Sequence, residues 1–86
     1  MRFPLGRVVA TPGALDLIGH EGCLAFLRRH HGGDWGELDG HDRRANERAL
    51  RNGARLLSSY PVGGGRVWVI TEADRSSTCV LLPSEY

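Results

Sequence analysis

Along this chain the apolar residues change their spacing twice, and each change marks a change of element. Arg7 to Ala10 (RVVA) is a short apolar run rich in β-branched side chains, which predicts a strand. Thr11-Pro12 follows as a helix start, the threonine as N-cap and the proline in the first helical position, where its missing N–H costs nothing. That helix, Gly13 to Ile18, is short and is expected to stop near Gly19. A second helix is predicted from Gly22 to His31, because Cys23, Phe26, Leu27 and His30 recur at i, i+3, i+4, i+7 on one face. Gly32-Gly33 ends it.

The third helix has the clearest signature. Asp39 is a good N-cap and Asp42 places an acid in the first turn. At roughly 100° per residue, Arg44, Arg48, Arg51 and Arg55 form one stripe. Opposite it fall Asp42, Ala45, Asn46, Ala49 and Gly53, small enough for close packing on a sheet. Asn52-Gly53 ends or unwinds this helix, which places Arg55 at or beyond its end.

Alternation replaces helical spacing from Leu56 onward. Leu56 to Val62 reads as a strand whose Pro61 suits an edge or a bulge. Gly63-Gly64-Gly65 is a hairpin connection. Arg66 to Ala73 is apolar on both alternating faces, which predicts a central strand. Asp74-Arg75-Ser76 makes a turn, Ser77 to Leu82 a last strand, and Pro83 closes it. The expectation is a single α+β domain over residues 1–86 in the order β-α-α-α-β-β-β, with three helices on one face of a three- to four-stranded antiparallel sheet.

Composition narrows the function classes. An 86-residue chain buries only about 60–65% of its unfolded surface, which leaves no room for a second lobe or a large enclosed cofactor site. The formal net charge of +1 lacks the excess of a nucleic-acid binder driven by electrostatics, although every basic residue is arginine. Cys23 and Cys79 are far apart without metal-type spacing and read as reduced thiols in apolar surroundings. No apolar run is long enough to span a membrane and the N-terminal apolar segment is too short for a signal peptide, so a cytoplasmic setting is expected.

Four groups of residues could carry chemistry. His30, Asp34, Trp35, Asp42 and Asn46 could line a small pocket; alternatively Asp42 satisfies backbone N–H groups at its own helix start and Asn46 ties down the Gly32–Leu38 loop. His20, His30, His31 and His41 show no zinc pattern, and adjacent His30 and His31 diverge on a helix, so helix-end positions favoured by the dipole account for them better than a metal site. The stripe of Arg44, Arg48, Arg51 and Arg55 is either a solvated face or the meeting point for an acidic protein surface, with nucleic acid less favoured. Glu72, Asp74, Arg75 and Ser76 form a polar turn that could serve a partner or, with a histidine, supply the acid and arginine of a small nuclease; alternatively it is a charged turn with internal ion pairing. Nothing points to a cofactor. Of the two tryptophans, Trp68 reads as core, which speaks against its use as a stacking platform for single strands.

Three segments, FPLGRVVATPGAL, FLRRHHGGDWGELDGHDRRAN and VWVITEADRSSTCVLLPSEY, resemble a family of small proteins carried on bacterial plasmids and integrative elements. Its most specific pieces are His30–Gly36 (HHGGDWG) and Thr71–Ser76 (TEADRS). The family pattern has a threonine pair where this chain has Thr78-Cys79, which weakens a catalytic role at position 79. Members are called plasmid-related proteins, and some bear the label of a type I restriction enzyme M subunit. That label does not suit this chain, which has no glycine-rich cofactor loop after its first strand and no [N/D]PP[Y/F] segment. The resemblance implies a mobile-element setting without a defined activity. The expected function is therefore a small non-enzymatic interaction or accessory protein, the alternative a small ribonuclease or toxin-like enzyme.

Overall fold

A computed structural model describes residues 3–86. Its elements are β1 (Arg7–Ala10), α1 (Pro12–His31), α2 (Gly40–Asn52), β2 (Leu56–Val62), β3 (Gly65–Thr71) and β4 (Ser77–Leu81), followed by a 3-10 turn at Pro83–Glu85. Two features correct the expected architecture. There are two helices rather than three, and the sheet is mixed rather than antiparallel.

The helix count falls because the break expected near Gly19 is a kink of a single residue, with no loop between the two helical segments. That residue alone takes φ 71, ψ 175, which kinks α1 and lets the turns on either side continue as one element. Glycine adopts this region without the Cβ clash that other residues meet. The capping signals operate as local chemistry predicts. The Thr11 side chain accepts from Ala14 N, the Asp39 side chain accepts from Asp42 N, and left-handed Gly53 ends α2.

The sheet order is β1-β4-β3-β2. β2, β3 and β4 form an antiparallel meander, while β1 joins its far side parallel to β4, Val8 beside Thr78 and Ala10 beside Val80. α1 makes this possible, since a helix between two strands is long enough to return the chain to the same end of the sheet. Both edges of the sheet therefore belong to strands that flank a helix in sequence.

One face of the sheet is sealed. Leu56, Ser58, Tyr60, Val67, Val69, Thr71, Thr78 and Val80 point to that side and are fully buried. α1 covers its centre with Ala14, Cys23 and Leu27, while α2 sets Ala49 against Leu56, Trp35 and Phe3. Phe26 stacks on Tyr60 with ring centroids 4.7 Å apart and planes 8° apart. The opposite face carries Leu57, Trp68, Ile70, Cys79 and Leu81; Tyr86 after the 3-10 turn reaches Trp68 there, and neither α1 nor α2 covers it. Trp68 is accordingly half-buried on that face and not core, whereas Trp35 is the core tryptophan at 3% exposure. Among the described residues no helix is long and apolar enough to cross a membrane.

Candidate functional site

The polar residues singled out in the middle of the chain do not converge on a pocket. His30 is 0% exposed and sits between Ser58 and Thr71, its Nδ1 2.6 Å from Ser58 Oγ and its Nε2 2.9 Å from Thr71 Oγ1. Thr71 Oγ1 lies 2.7 Å from Thr78 Oγ1, and Thr78 Oγ1 donates to Leu5 O at 2.7 Å. That terminal carbonyl can only accept, which orders every proton in the chain. Thr78 donates to Leu5, Thr71 to Thr78, and His30 Nε2–H to Thr71, which leaves Nδ1 to accept from Ser58.

Phe3 and Trp35 close over the imidazole edge-on, at centroid distances of 5.3 and 5.7 Å. Burial, reinforced by neighbouring His31, lowers the His30 pKa to about 4. A cation stabilised by the helix dipole is thus the wrong description of His30. It is a neutral histidine whose hydrogen bonds are all satisfied inside the core. His31 turns elsewhere and meets Phe3 O through Nε2 at 2.9 Å.

Of the other members, Asp34 holds the loop, Asn46 holds the sheet edge, and Asp42 does neither. Asp34 is exposed and pairs with Arg29 at 2.8 Å, its second oxygen accepts from Gly36 N, and its carbonyl accepts from Tyr60 OH at 2.6 Å. The Arg29 bond holds the Asp34 carboxyl below its ordinary range, and burial pushes the Tyr60 phenol up to about 12. Asp42 does not cap its own helix start, because Asp39 does so. Its carboxylate instead lies beside exposed His41 at 3.4 Å.

Asn46 does not tie down the loop after α1. It binds β2, its Nδ2 donating to Leu57 O at 2.6 Å and its Oδ1 accepting from Leu57 N at 3.1 Å. A side-chain amide thus replaces a neighbouring strand at that position. Two residues on, Ser59 exchanges backbone bonds with the loop, donating to Trp35 O and accepting from Glu37 N. Gly36 lies against that position at φ 73, where a Cβ would run into Ser59 O and the Tyr60 ring. Pro61 has no N–H to present. The edge at β2 is closed position by position.

The arginines divide into two kinds. Arg44, Arg48 and Arg51 are exposed on α2 and take part in none of the ion pairs among the described residues. Arg55 lies beyond the helix end, its guanidinium 5.2 Å over the Tyr86 ring and donating to Tyr86 OH. Arg75, at φ 62, is committed internally. It donates to Ala49 O and Ala54 O and to the carbonyls of Glu72 and Ala73, so it caps the C-terminal end of α2. Asp74 accepts from Ser76 N within the same turn, and Glu72 is exposed beside it. Arg75 therefore caps the end of α2, whereas Arg55 lies beyond that end against Tyr86.

A recess of about 320 Å³ on the open sheet face was not foreseen. Arg55, Leu57, Trp68, Ile70 and Tyr86 line it. Trp68 meets Tyr86 edge-on, with centroids 5.8 Å apart. The relevant signal was present in Arg66–Ala73, which is apolar on both alternating faces; on the second face Ile70 is buried and Trp68 half-buried. A second groove of about 220 Å³ runs beside β1, between Val8–Ala10 and the flank of α1 formed by Leu15, His20 and Leu24. Comparison with protein-family models, curated proteins and solved structures returns no match to this chain.

Proposed function

We propose that this protein is a non-enzymatic interaction module that docks an acidic partner carrying an apolar anchor. The carrying observation is an open apolar recess with a guanidinium among its lining residues. Arg55 stands at the lip of the Leu57–Trp68–Ile70–Tyr86 recess, whereas Arg48 and Arg51 are exposed on α2, which packs on the other face of the sheet. An aromatic or aliphatic side chain entering the recess would remove Trp68 from water, and a carboxylate beside it would meet the Arg55 guanidinium, which takes part in none of the ion pairs among the described residues.

The mobile-element setting implied by the HHGGDWG and TEADRS segments fits an accessory protein that modulates a host or element-encoded complex. The chemistry outside the recess supports binding over catalysis. The histidine with a strongly shifted pKa is sealed in the core, and Arg75 spends its donors on backbone carbonyls.

The test uses an aspartate- and glutamate-rich peptide with one central tryptophan-sized apolar residue. Its binding is followed by calorimetry, and by Trp68 fluorescence against a Trp68→Phe control. Binding is expected to weaken with salt and to be lost in Arg55→Glu, with the circular dichroism of the folded protein unchanged. Unaltered binding in that variant refutes the assignment of the surface. Preference for a single-stranded oligonucleotide of equal charge would replace the acidic protein by nucleic acid.

A further inference from the structure

The two edges of the sheet are treated in opposite ways. At β2 the outward peptide groups are occupied by the Asn46 amide and the Trp35–Glu37 segment, and Pro61 removes a donor. At β1 nothing comparable exists. Arg7 N donates to Ser76 O and Thr11 N to Val80 O, so residues 7, 9 and 11 turn their peptide groups towards β4. Val8 and Ala10 must turn theirs away from the sheet. No hydrogen bond to those groups is formed among the described residues.

The same edge gathers the exposed apolar surface. Val8 is 45% exposed, Val9 39%, Leu15 41% and Leu24 40%, and these four line one groove; Leu17 and Tyr86 are the large exposed hydrophobics outside it among the described residues. A free strand edge flanked by apolar side chains is a template for another strand. We propose that the strand is that of a second copy: two molecules pair antiparallel through β1, joining their sheets about a two-fold axis at Val9.

Register and charge both select a second copy. With Val9 facing Val9 of the other copy, Val8 faces Ala10, and the two outward residues exchange both N–H and C=O bonds at each end. Moving the axis to Ala10 would set Val8 against Pro12, which has no N–H. Moving it to Val8 would set Ala10 against Gly6, whose φ of 67 breaks the strand.

In the Val9 register, Arg7 stands opposite Thr11 of the other copy. Thr11 Oγ1 donates to Glu85 Oε1 at 2.5 Å and Gly13 N to Glu85 Oε2 at 3.2 Å, so a carboxylate is fixed at that position. Arg7 is exposed and takes part in none of the ion pairs among the described residues. Directly opposed side chains have Cβ atoms about 4.5–5.5 Å apart, well within reach of a guanidinium. The interface is thereby self-complementary: an apolar centre closed at both ends by Arg7 and Glu85 of opposite copies. Leu15 and Leu24 of the two α1 helices face each other over the groove.

Sedimentation velocity of the whole chain, from about 1 to 200 µM, reads the outcome. A concentration-dependent dimer is expected. Val9→Lys, which brings a charge against its own copy on the axis, should leave a monomer with unchanged circular dichroism. Arg7→Glu should weaken association about tenfold or more. In a Cys23→Ala/Cys79→Ala background, Val9→Cys should form a disulfide-linked dimer on mild oxidation while Val8→Cys does not. A wild-type monomer at about 200 µM overturns the proposal, as does a dimer unaffected by Val9→Lys. Cross-linking through Val8→Cys in preference to Val9→Cys overturns the register.

Discussion

Acid should destabilise this protein through His30. Folded, the imidazole has a pKa of about 4; in the unfolded chain it returns to its ordinary 6.5. Between those values the unfolded chain binds a proton that the folded chain refuses, so the unfolded state gains as pH falls. The His30 contribution is therefore fully present above about pH 6.5 and is lost progressively towards pH 4. Linkage over the interval gives a loss of about 2 kcal/mol at pH 5 and about 3 kcal/mol once both states are protonated. A domain of this size is stable by roughly 4–13 kcal/mol, so the effect is a large share of the total.

The measurement is urea unfolding at closely spaced pH values from about 7.5 to 4.5, for the wild type and for His30→Gln. Glutamine can donate to Thr71 and accept from Ser58 but cannot be protonated in this range. Acidic groups such as Asp34 and Glu85, whose pKa values are lowered by hydrogen bonds, add a slope common to both proteins. The difference between the two stabilities isolates His30, and it should shrink by about 2 kcal/mol between pH 7.5 and pH 5. A difference that stays constant within about 0.5 kcal/mol would refute the reasoning, because His30 would then titrate alike in both states.

Asn46→Ala should cost about 1–3 kcal/mol by leaving both peptide groups of Leu57 without their partner. Asn46→Asp should cost more, because a carboxylate would face Leu57 O; chemical denaturation checks both. Gly36→Ala should lower the melting temperature by about 8–16 °C, combining about 1–2 kcal/mol for a left-handed alanine with loss of the Ser59 bridge. Hydrogen exchange should show the Ser59 and Glu37 amides losing protection first.

Much of this protein was legible because its signals are local. Thr11-Pro12 and Asp39 announce helix starts through oxygens and a proline that act within three residues, and Asp74-Arg75-Ser76 announces a turn in the same way. The helical spacing of Cys23, Phe26, Leu27 and His30 correctly named the buried face of α1. Pro61 correctly implied an edge, since a missing N–H is tolerated only where no strand needs it.

The tertiary structure decided what depends on residues distant in sequence. β1 pairs in parallel with β4, about seventy residues away in the chain, and no local pattern fixes the direction of such a pairing. Asn46 chose the backbone of Leu57 over the nearer loop because the β2 edge brought two unsatisfied peptide groups to it. His30 became a neutral core residue because Ser58, Thr71 and Thr78 arrive from three strands to satisfy it. Trp68 lost its expected cover because an apolar strand face says only that water is unfavourable there, and not which surface excludes it. The sequence determined which residues seek burial; the fold determined which of them remain exposed.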